Sequence, residues 1–431
     1  MKIRLASILA VVLAGILAVI VVVSGYITVE KQYNANLEKA RANVEKQIPY
    51  NAYHAYQQAF KLRCEDEEVF KEYLAQAKLL GEDFYTKAIK EYVERFPTSV
   101  NAHELYCGMQ YDNGSYRNVI TAAMEARENG AASEQVKAWY LECVHMLTNV
   151  KSDLEDAQSF LGSYARVKVN GAYGYLSQNG KFLLAPLYEQ ASPMLNGNAA
   201  VWEKGEWHMI NDGGFVVART DVPVDSMSIL VGGKIAVSQN GKYGYTNTSM
   251  LIPETRPYDY ASTFKNGVAA VKKGDKWALI NSAEEMITDY IFDEILLDEF
   301  DTCHNAGVIF VKKDGKYYMV NASGAKITDQ AFDNAYPFAS NEPAAVCIGD
   351  KWGFIATNGQ FVIEPRFADA RSFSIGLGGV CVDGKWGYIN TSGDIRIACQ
   401  FEDCKSFAGN GIAAVKEDGF WRYVQLLAYR M

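Results

Sequence analysis

Asp383-Gly384-Lys385-Trp386-Gly387-Tyr388-Ile389-Asn390 reads as a β-hairpin. Its Asp-Gly pair supplies the positive φ angles of a two-residue type I′ turn, whose twist matches the strands it joins. An aromatic residue, a glycine and an alternating aromatic/apolar run then form the return strand. Seven looser copies accompany it. The anchor aromatics are Tyr173, Trp207, Tyr243, Trp277, Tyr317, Trp352, Trp386 and Trp421, at steps of 34, 36, 34, 40, 35, 34 and 35. A period this narrow signals a repeat architecture.

Each copy parses into the same parts. An apolar strand comes first, as in Val268-Ala269-Ala270-Val271 or Ile412-Ala413-Ala414-Val415. A tight turn follows: Asn170-Gly171, Asn240-Gly241, Asp314-Gly315, Asp383-Gly384 or Asp418-Gly419. The return strand carries the aromatic-glycine pair, as in Tyr173-Gly174, Tyr243-Gly244 and Trp352-Gly353. A glycine there bares one strand face, so that a neighbouring backbone or ring can approach. A second turn leads to a third strand such as Phe361-Val362-Ile363, which Pro186, Pro253 and Pro365 are expected to end. An aromatic-acidic pair closes the unit: Tyr188-Glu189, Tyr258-Asp259, Phe292-Asp293, Phe332-Asp333 and Phe401-Glu402. Three strands and a possible fourth in about 35 residues suit a propeller blade or a solenoid coil.

The Gly-Lys-Trp-Gly-Tyr-Ile-Asn run, Ile363-Glu364-Pro365-Arg366-Phe367 and the period resemble the WG (KWG) repeat family of bacteria over residues 165–424. His208 and Ala278 stand where that family has glycine, and Tyr317-Tyr318 departs likewise. The resemblance implies a β-repeat array used for binding or scaffolding, with no catalytic residues to carry over. The expected form is a β-propeller of 7–8 blades; an open β-solenoid of hairpins is the alternative. An open array needs polar caps for its edges. The apolar finish Val424–Tyr429 makes a poor cap and a better inserted strand, which favours closure.

Upstream, Leu5–Val23 holds no charge and is long enough to cross a hydrocarbon core. It reads as an uncleaved transmembrane anchor; secretion after signal cleavage is the alternative. Lys2 and Arg4 favour a cytoplasmic N-terminus and extracytoplasmic domains. Tyr33, Leu37, Ala40 and Val44 form a helical seam that Pro49 ends. Residues 50–163 show helical periodicity. Gly81 and Gly114 each precede an aromatic and an amphipathic helix, and a weaker unit runs from Ala138 to Leu161. These spacings resemble tetratricopeptide repeats, although the consensus Trp-Leu-Gly-Tyr set is missing and a generic helical bundle explains the same pattern. The chain thus reads as an α + β multidomain protein. It has an anchor at 1–29, a stalk at 30–49, a helical domain at 50–163 and a WG-repeat β domain at 164–431.

Charge narrows the function. The net charge of −9 divides as +2 for residues 1–29, −6 for 30–163 and −5 for 164–431. Neither large part carries the basic footprint of nucleic-acid binding. The eight cysteines form no CxxC pair and read as small buried hydrophobes. A Cys399–Cys404 bridge stays open, since spacing does not fix disulfide geometry. His103 and Cys107 lie four apart on a helix, but two ligands do not make a metal site; a packing Cys beside a surface His accounts for them. Ser323-Gly324-Ala325-Lys326 matches Ser-x-x-Lys yet falls in a repeat turn. The sequence thus offers no catalytic, cofactor or metal residues. It points to a non-enzymatic membrane-anchored scaffold for protein or polysaccharide, with specificity in the lateral loops 218–234 and 295–306. The rivals are a cytoplasm-facing scaffold and a cell-wall or glycan hydrolase, whose paired carboxylates would come from acids such as Asp259, Asp293 and Asp333.

Overall fold

The computed structural model describes residues 2–429, with side chains from Gly15 onward. It divides into two compact units, Met1–Val144 and His145–Met431.

The first unit is helical. Helix α1 (Lys2–Glu45) runs without a break from the apolar segment into the stalk. Its described part from Gly15 is apolar enough to span a membrane or to serve as a signal sequence. Tyr33, Leu37 and Ala40 of the predicted seam are buried, whereas Val44 is exposed. Gln47, at positive φ, breaks the helix. Pro49 does not end the stalk but opens α2 (Pro49–Phe60), where its missing N–H costs nothing. Helices α3 (Glu67–Leu80), α4 (Glu82–Arg95), α5 (Val100–Asp112), α6 (Tyr116–Glu128) and α7 (Glu134–Val144) follow, consecutive ones packed together. Asp66, inside the acidic run Glu65-Asp66-Glu67-Glu68, caps α3 by accepting from the Glu68 amide at 3.0 Å. Tyr53, Phe70, Tyr73 and Tyr92 are fully buried, with Phe70 stacked on Tyr92 at 5.1 Å.

The second unit begins at His145 rather than residue 164. The expected third helical unit, Ala138 to Leu161, stops at Val144; Leu147–Leu154 is a strand. Its partner lies at the other end of the chain: Leu147 pairs with Leu426 and Leu154 with Trp421. Among the described residues this unit forms eight sheets, the blades of a closed propeller. We number the blades in chain order from Asp156. Blade 8 takes three strands from Asp403–Cys404, Ile412–Glu417 and Phe420–Leu426 and its fourth from Leu147–Leu154. Pairing the two ends of the domain removes the open edge that a solenoid would expose.

The expected hairpins form in every blade. Asn170, Asn240, Asp314, Asp383 and Asp418 all take positive φ, each followed by a glycine that does too. The glycine after the anchor aromatic meets backbone, not a ring. A Cβ at Gly387 would lie 2.5 Å from the Ile397 carbonyl oxygen, one at Gly353 2.6 Å from that of Ile363, and one at Gly174 2.7 Å from that of Leu184. In these three blades a seven-residue fourth strand crosses the glycine with a bulge: Phe182–Tyr188, Phe361–Phe367 and Ile395–Phe401. Pro186 and Pro365 therefore lie inside the fourth strand instead of ending it, which an edge strand tolerates. Cores form between blades: Trp386, Tyr388 and Phe401 of blade 7 cluster with Ala413, Val415 and Val424 of blade 8.

Tyrosines join the blades. The Oη of Tyr175, Tyr245 and Tyr388 donates to the carbonyl of Ser192, Ser262 and Lys405, at 2.7–2.8 Å, each in the next blade. Tyr423 of blade 8 donates in the same way to the Gln158 carbonyl of blade 1. The closing joint thus repeats the chemistry of the internal ones.

Candidate binding site at the axial mouth

A loop follows the first strand of each blade. Such loops, or the first strand itself, from six blades line one cavity of about 380 Å³, through Ser159, Lys265, Phe300, Phe338, Ser372 and Lys405. Equivalent segments of so many blades meet at the axis of a ring, so the first strands are axial and the cavity is the mouth of the channel. A second cavity of about 220 Å³ draws on blades 2 to 5, through Ser192, Ser228, Tyr260 and Asp301. Phe300 lines both.

The loop between the cavities is the one that accounts for the 40-residue step. The segment 296–308 of blade 5 is not lateral, as its divergence suggested, but axial. The Glu299 carbonyl accepts from Gln158 Nε2 at 2.7 Å, and its carboxylate accepts from the Ser159 amide at 3.1 Å and from Lys405 Nζ at 2.8 Å. These partners belong to blades 1 and 8. On the other side Asp301 accepts from Tyr260 Oη at 2.5 Å and from the Thr263 amide at 3.1 Å, both in blade 4. Asp298 shapes the loop, accepting from the amides of Phe300 and Thr302 at 3.0 and 2.9 Å. Burial raises the Asp301 carboxyl from 3.8 to about 6, with its hydrogen bonds opposing the rise.

The walls are aromatic and basic. Phe160, Phe338 and Phe407 are buried there. The Arg371 guanidinium lies 4.1 Å over the Trp386 ring and 4.7 Å over that of Tyr336, and it donates to Asp403 at 3.1 Å. Asn305, 6% exposed, has no partner for its Nδ2. The helical unit holds its own groove of about 420 Å³, floored by Tyr85, Ile89, Leu105 and Trp139.

The residues weighed from sequence fall elsewhere. Gly274 and Gly349 donate turn amides to Asp259 and Asp333 at 2.7 and 2.8 Å. Asp259, Asp293 and Asp333 also bind Lys242, Lys276 and Lys316. Those lysine bonds, foremost, hold all three below the usual carboxylate range. They stand just before the first strands of blades 4, 5 and 6, each engaged with its own lysine. His103 is fully buried, not on the surface; its Nε2 shares a hydrogen bond with the Pro97 carbonyl at 2.7 Å, a partner that the helix end leaves free. Cys107 packs against Ala122 and Val136. Ser323 hydrogen-bonds Asn321 in its turn, and Lys326 lies over Tyr318. Cys399 and Cys404 are both unpaired thiols. Of the loop 218–234, only residues 226–229 reach the axial site. What the sequence left unread is the axial use of Phe160, Phe338, Arg371 and Lys405, since nothing local marks a loop as axial.

The WG-containing repeat family matches the chain at residues 173–207, 258–277, 319–352, 352–386 and 386–421. No curated protein matches significantly. Among solved structures, a eukaryotic initiation factor is 12% identical, covering 64% of this chain and 86% of its own, with a TM-score of 0.42. The dihydro-heme d1 dehydrogenase NirN is 11% identical, with 66% and 78% covered and a TM-score of 0.39. Hsv2p of Kluyveromyces lactis is 14% identical, with 60% and 88% covered and a TM-score of 0.32. Likenesses at this level carry no argument about function. The β domain carries WG-containing repeats at these five places and closes as an eight-bladed propeller.

Proposed function

We propose that this chain is a membrane-anchored, non-enzymatic binding or scaffold protein that presents its propeller outside the cytoplasm to protein or polysaccharide partners. The supporting observation is the axial mouth. All eight blades contribute to two cavities there, and a closed ring holds their lining in fixed positions. The periodic acids are spent on turn amides and lysines, which favours binding over hydrolysis. The apolar run from Leu5 and the basic Lys2 and Arg4 support the anchor and its orientation.

A photo-crosslinking residue at Ala339, exposed at the mouth, tests the reading in intact cells. The expected result is a discrete set of captured partners absent from a protein reduced to its anchor. A capture pattern no different from that control overturns it. Protease shaving of intact cells tests orientation: the propeller should be lost, and its full protection refutes an outside location.

A further inference from the structure

The loop at the mouth is itself placed like a ligand. Asp298, Glu299, Phe300 and Asp301 present three carboxylates and one aromatic ring in four residues. What receives them is complementary: Lys405 Nζ and the Ser159 amide for Glu299, Lys265 Nζ for Asp298 at 3.4 Å, and Tyr260 and Thr263 for Asp301. We infer that the axial mouth is a binding site for an acidic-aromatic peptide segment of a partner protein, and that residues 298–301 occupy it at rest. This deepens the binding reading above and rests on it.

Three observations carry the inference. First, the ring does not need the loop. Closure comes from Leu147–Leu154 and the Tyr423 joint, and the equivalent loops of blades 1 and 4 manage with residues 158–163 and 262–267. Second, while Asp301 is held in buried hydrogen bonds, the Glu299 end of the loop is held by a displaceable contact. The Glu299 and Lys405 side chains keep 31% and 26% of their surface exposed, and ion pairs that wet are weak. Third, the fit is incomplete. Phe300 stays half-buried between two cavities of about 380 and 220 Å³, and the buried Asn305 Nδ2 beside it has no acceptor. A structural plug of this composition would bury its phenyl ring and satisfy that amide. A longer segment of like chemistry would use the same donors and fill both cavities. Its apparent affinity is lowered by the fraction of molecules whose own loop is seated.

The probe is a fluorescent synthetic peptide copying residues 296–302, with a scrambled peptide of the same composition as control. The protein is the full chain in detergent. Glu299→Gln should raise affinity for the probe about tenfold over the unmodified chain, and adding Lys405→Glu should abolish binding. Hydrogen exchange on the unmodified chain gives a second measurement independent of any variant's folding: saturating probe should speed exchange at the amides of Phe300 and Thr302. Equal binding of the scrambled peptide, no gain in Glu299→Gln with native thermal stability, or unchanged exchange at saturation would each overturn the inference. A cellular partner whose capture is undiminished by Lys405→Glu overturns this site while leaving the binding reading intact.

Discussion

Blades 7 and 4 start from nearly the same hairpin and end differently. Blade 7 carries Trp386-Gly387-Tyr388 and a full fourth strand; blade 4 carries Trp277-Ala278-Leu279 and has three strands. In both, the anchor aromatic still bridges to the aromatic of the acidic pair, Trp386 to Phe401 and Trp277 to Phe292. Only the middle of the fourth strand is lost. The Ile397 carbonyl oxygen would lie 2.5 Å from a Cβ at position 387, so a chain that has a Cβ there cannot take that path. In blade 4 residues 285–292 make isolated bridges and loop bonds instead. Blade 2, with His208 at this position, forms only a four-residue fourth strand, Val216–Arg219, and blade 3 shows that the glycine alone does not suffice for the long one. It keeps Gly244, yet the nearest atom to its Cβ position is Arg256 Cγ at 3.1 Å, and no fourth strand forms. The glycine of the repeat is thus a crossing point, not part of a site. Blades 3 to 5 have thin rims, and blade 5 invests its extra residues at the axis.

The largest test of this contrast is Trp386→Ala. Its ring is 6% exposed and stacked under Arg371, so the loss should reach about 3–5 kcal/mol by urea unfolding. Trp277 is only half-buried, and Trp277→Ala should cost clearly less; equal losses would break the contrast between complete and thin blades. Next comes Gly387→Ala, expected to destabilise by about 1–3 kcal/mol because the fourth-strand backbone must move. Gly244→Ala meets the flexible Arg256 side chain at 3.1 Å, with Pro253 and the Thr255 carbonyl at an ordinary 3.4 Å, and should stay within about 0.5 kcal/mol. A smaller effect is expected for Tyr423→Phe. Removing one hydrogen bond should cost about 1 kcal/mol, as should Tyr175→Phe at an internal joint. A much larger loss at Tyr423 would mark the closing joint as the weak point of the ring.

The last test sets the blade 5 loop against the periodic acids through pH. Asp301 is raised from 3.8 to about 6 by burial. Between those values the folded chain holds a proton that the unfolded chain has released, so this group's contribution to stability falls as pH rises through the window and is flat above it. Asp301→Asn should remove that slope in thermal melts; an unchanged slope would mean that the carboxyl is not buried as described. The periodic acids behave oppositely. Asp259, Asp293 and Asp333 are lowered by their lysines, so their stabilisation is present above the ordinary carboxylate value and is lost as pH falls through the depressed one.

Much of this molecule is local and therefore legible. Asn-Gly and Asp-Gly turns specify their own φ angles, and the eight anchor aromatics count the blades before any strand is paired. The apolar finish Val424–Tyr429 pointed to closure, and the ring closes; but only its first half is strand, part of blade 8's own hairpin, Leu427–Tyr429 is a 3-10 turn, and the inserted strand is Leu147–Leu154. The acidic pairs announced turn chemistry, and they cap turns. The axial site was less legible. Its length signal, the 40-residue step, was visible, but its direction was not, because a loop's position in a ring depends on blades that are distant in sequence. Glu299 meets Lys405, and Gln158 meets Tyr423, only after closure.

The repeat, its turns, the glycine's need for close approach and the apolar N-terminal segment are set by backbone sterics or composition within a few residues, and so are read directly from the chain. Ring closure through Leu147–Leu154, the start of the domain at His145 and the place of the blade 5 acidic loop over the axis emerge from the folded molecule alone. Those outcomes rest on pairings between segments far apart in the chain, such as Leu147 with Leu426. Such pairings are chosen by which edge or cation the assembled blades leave unsatisfied, and no short window of residues records that.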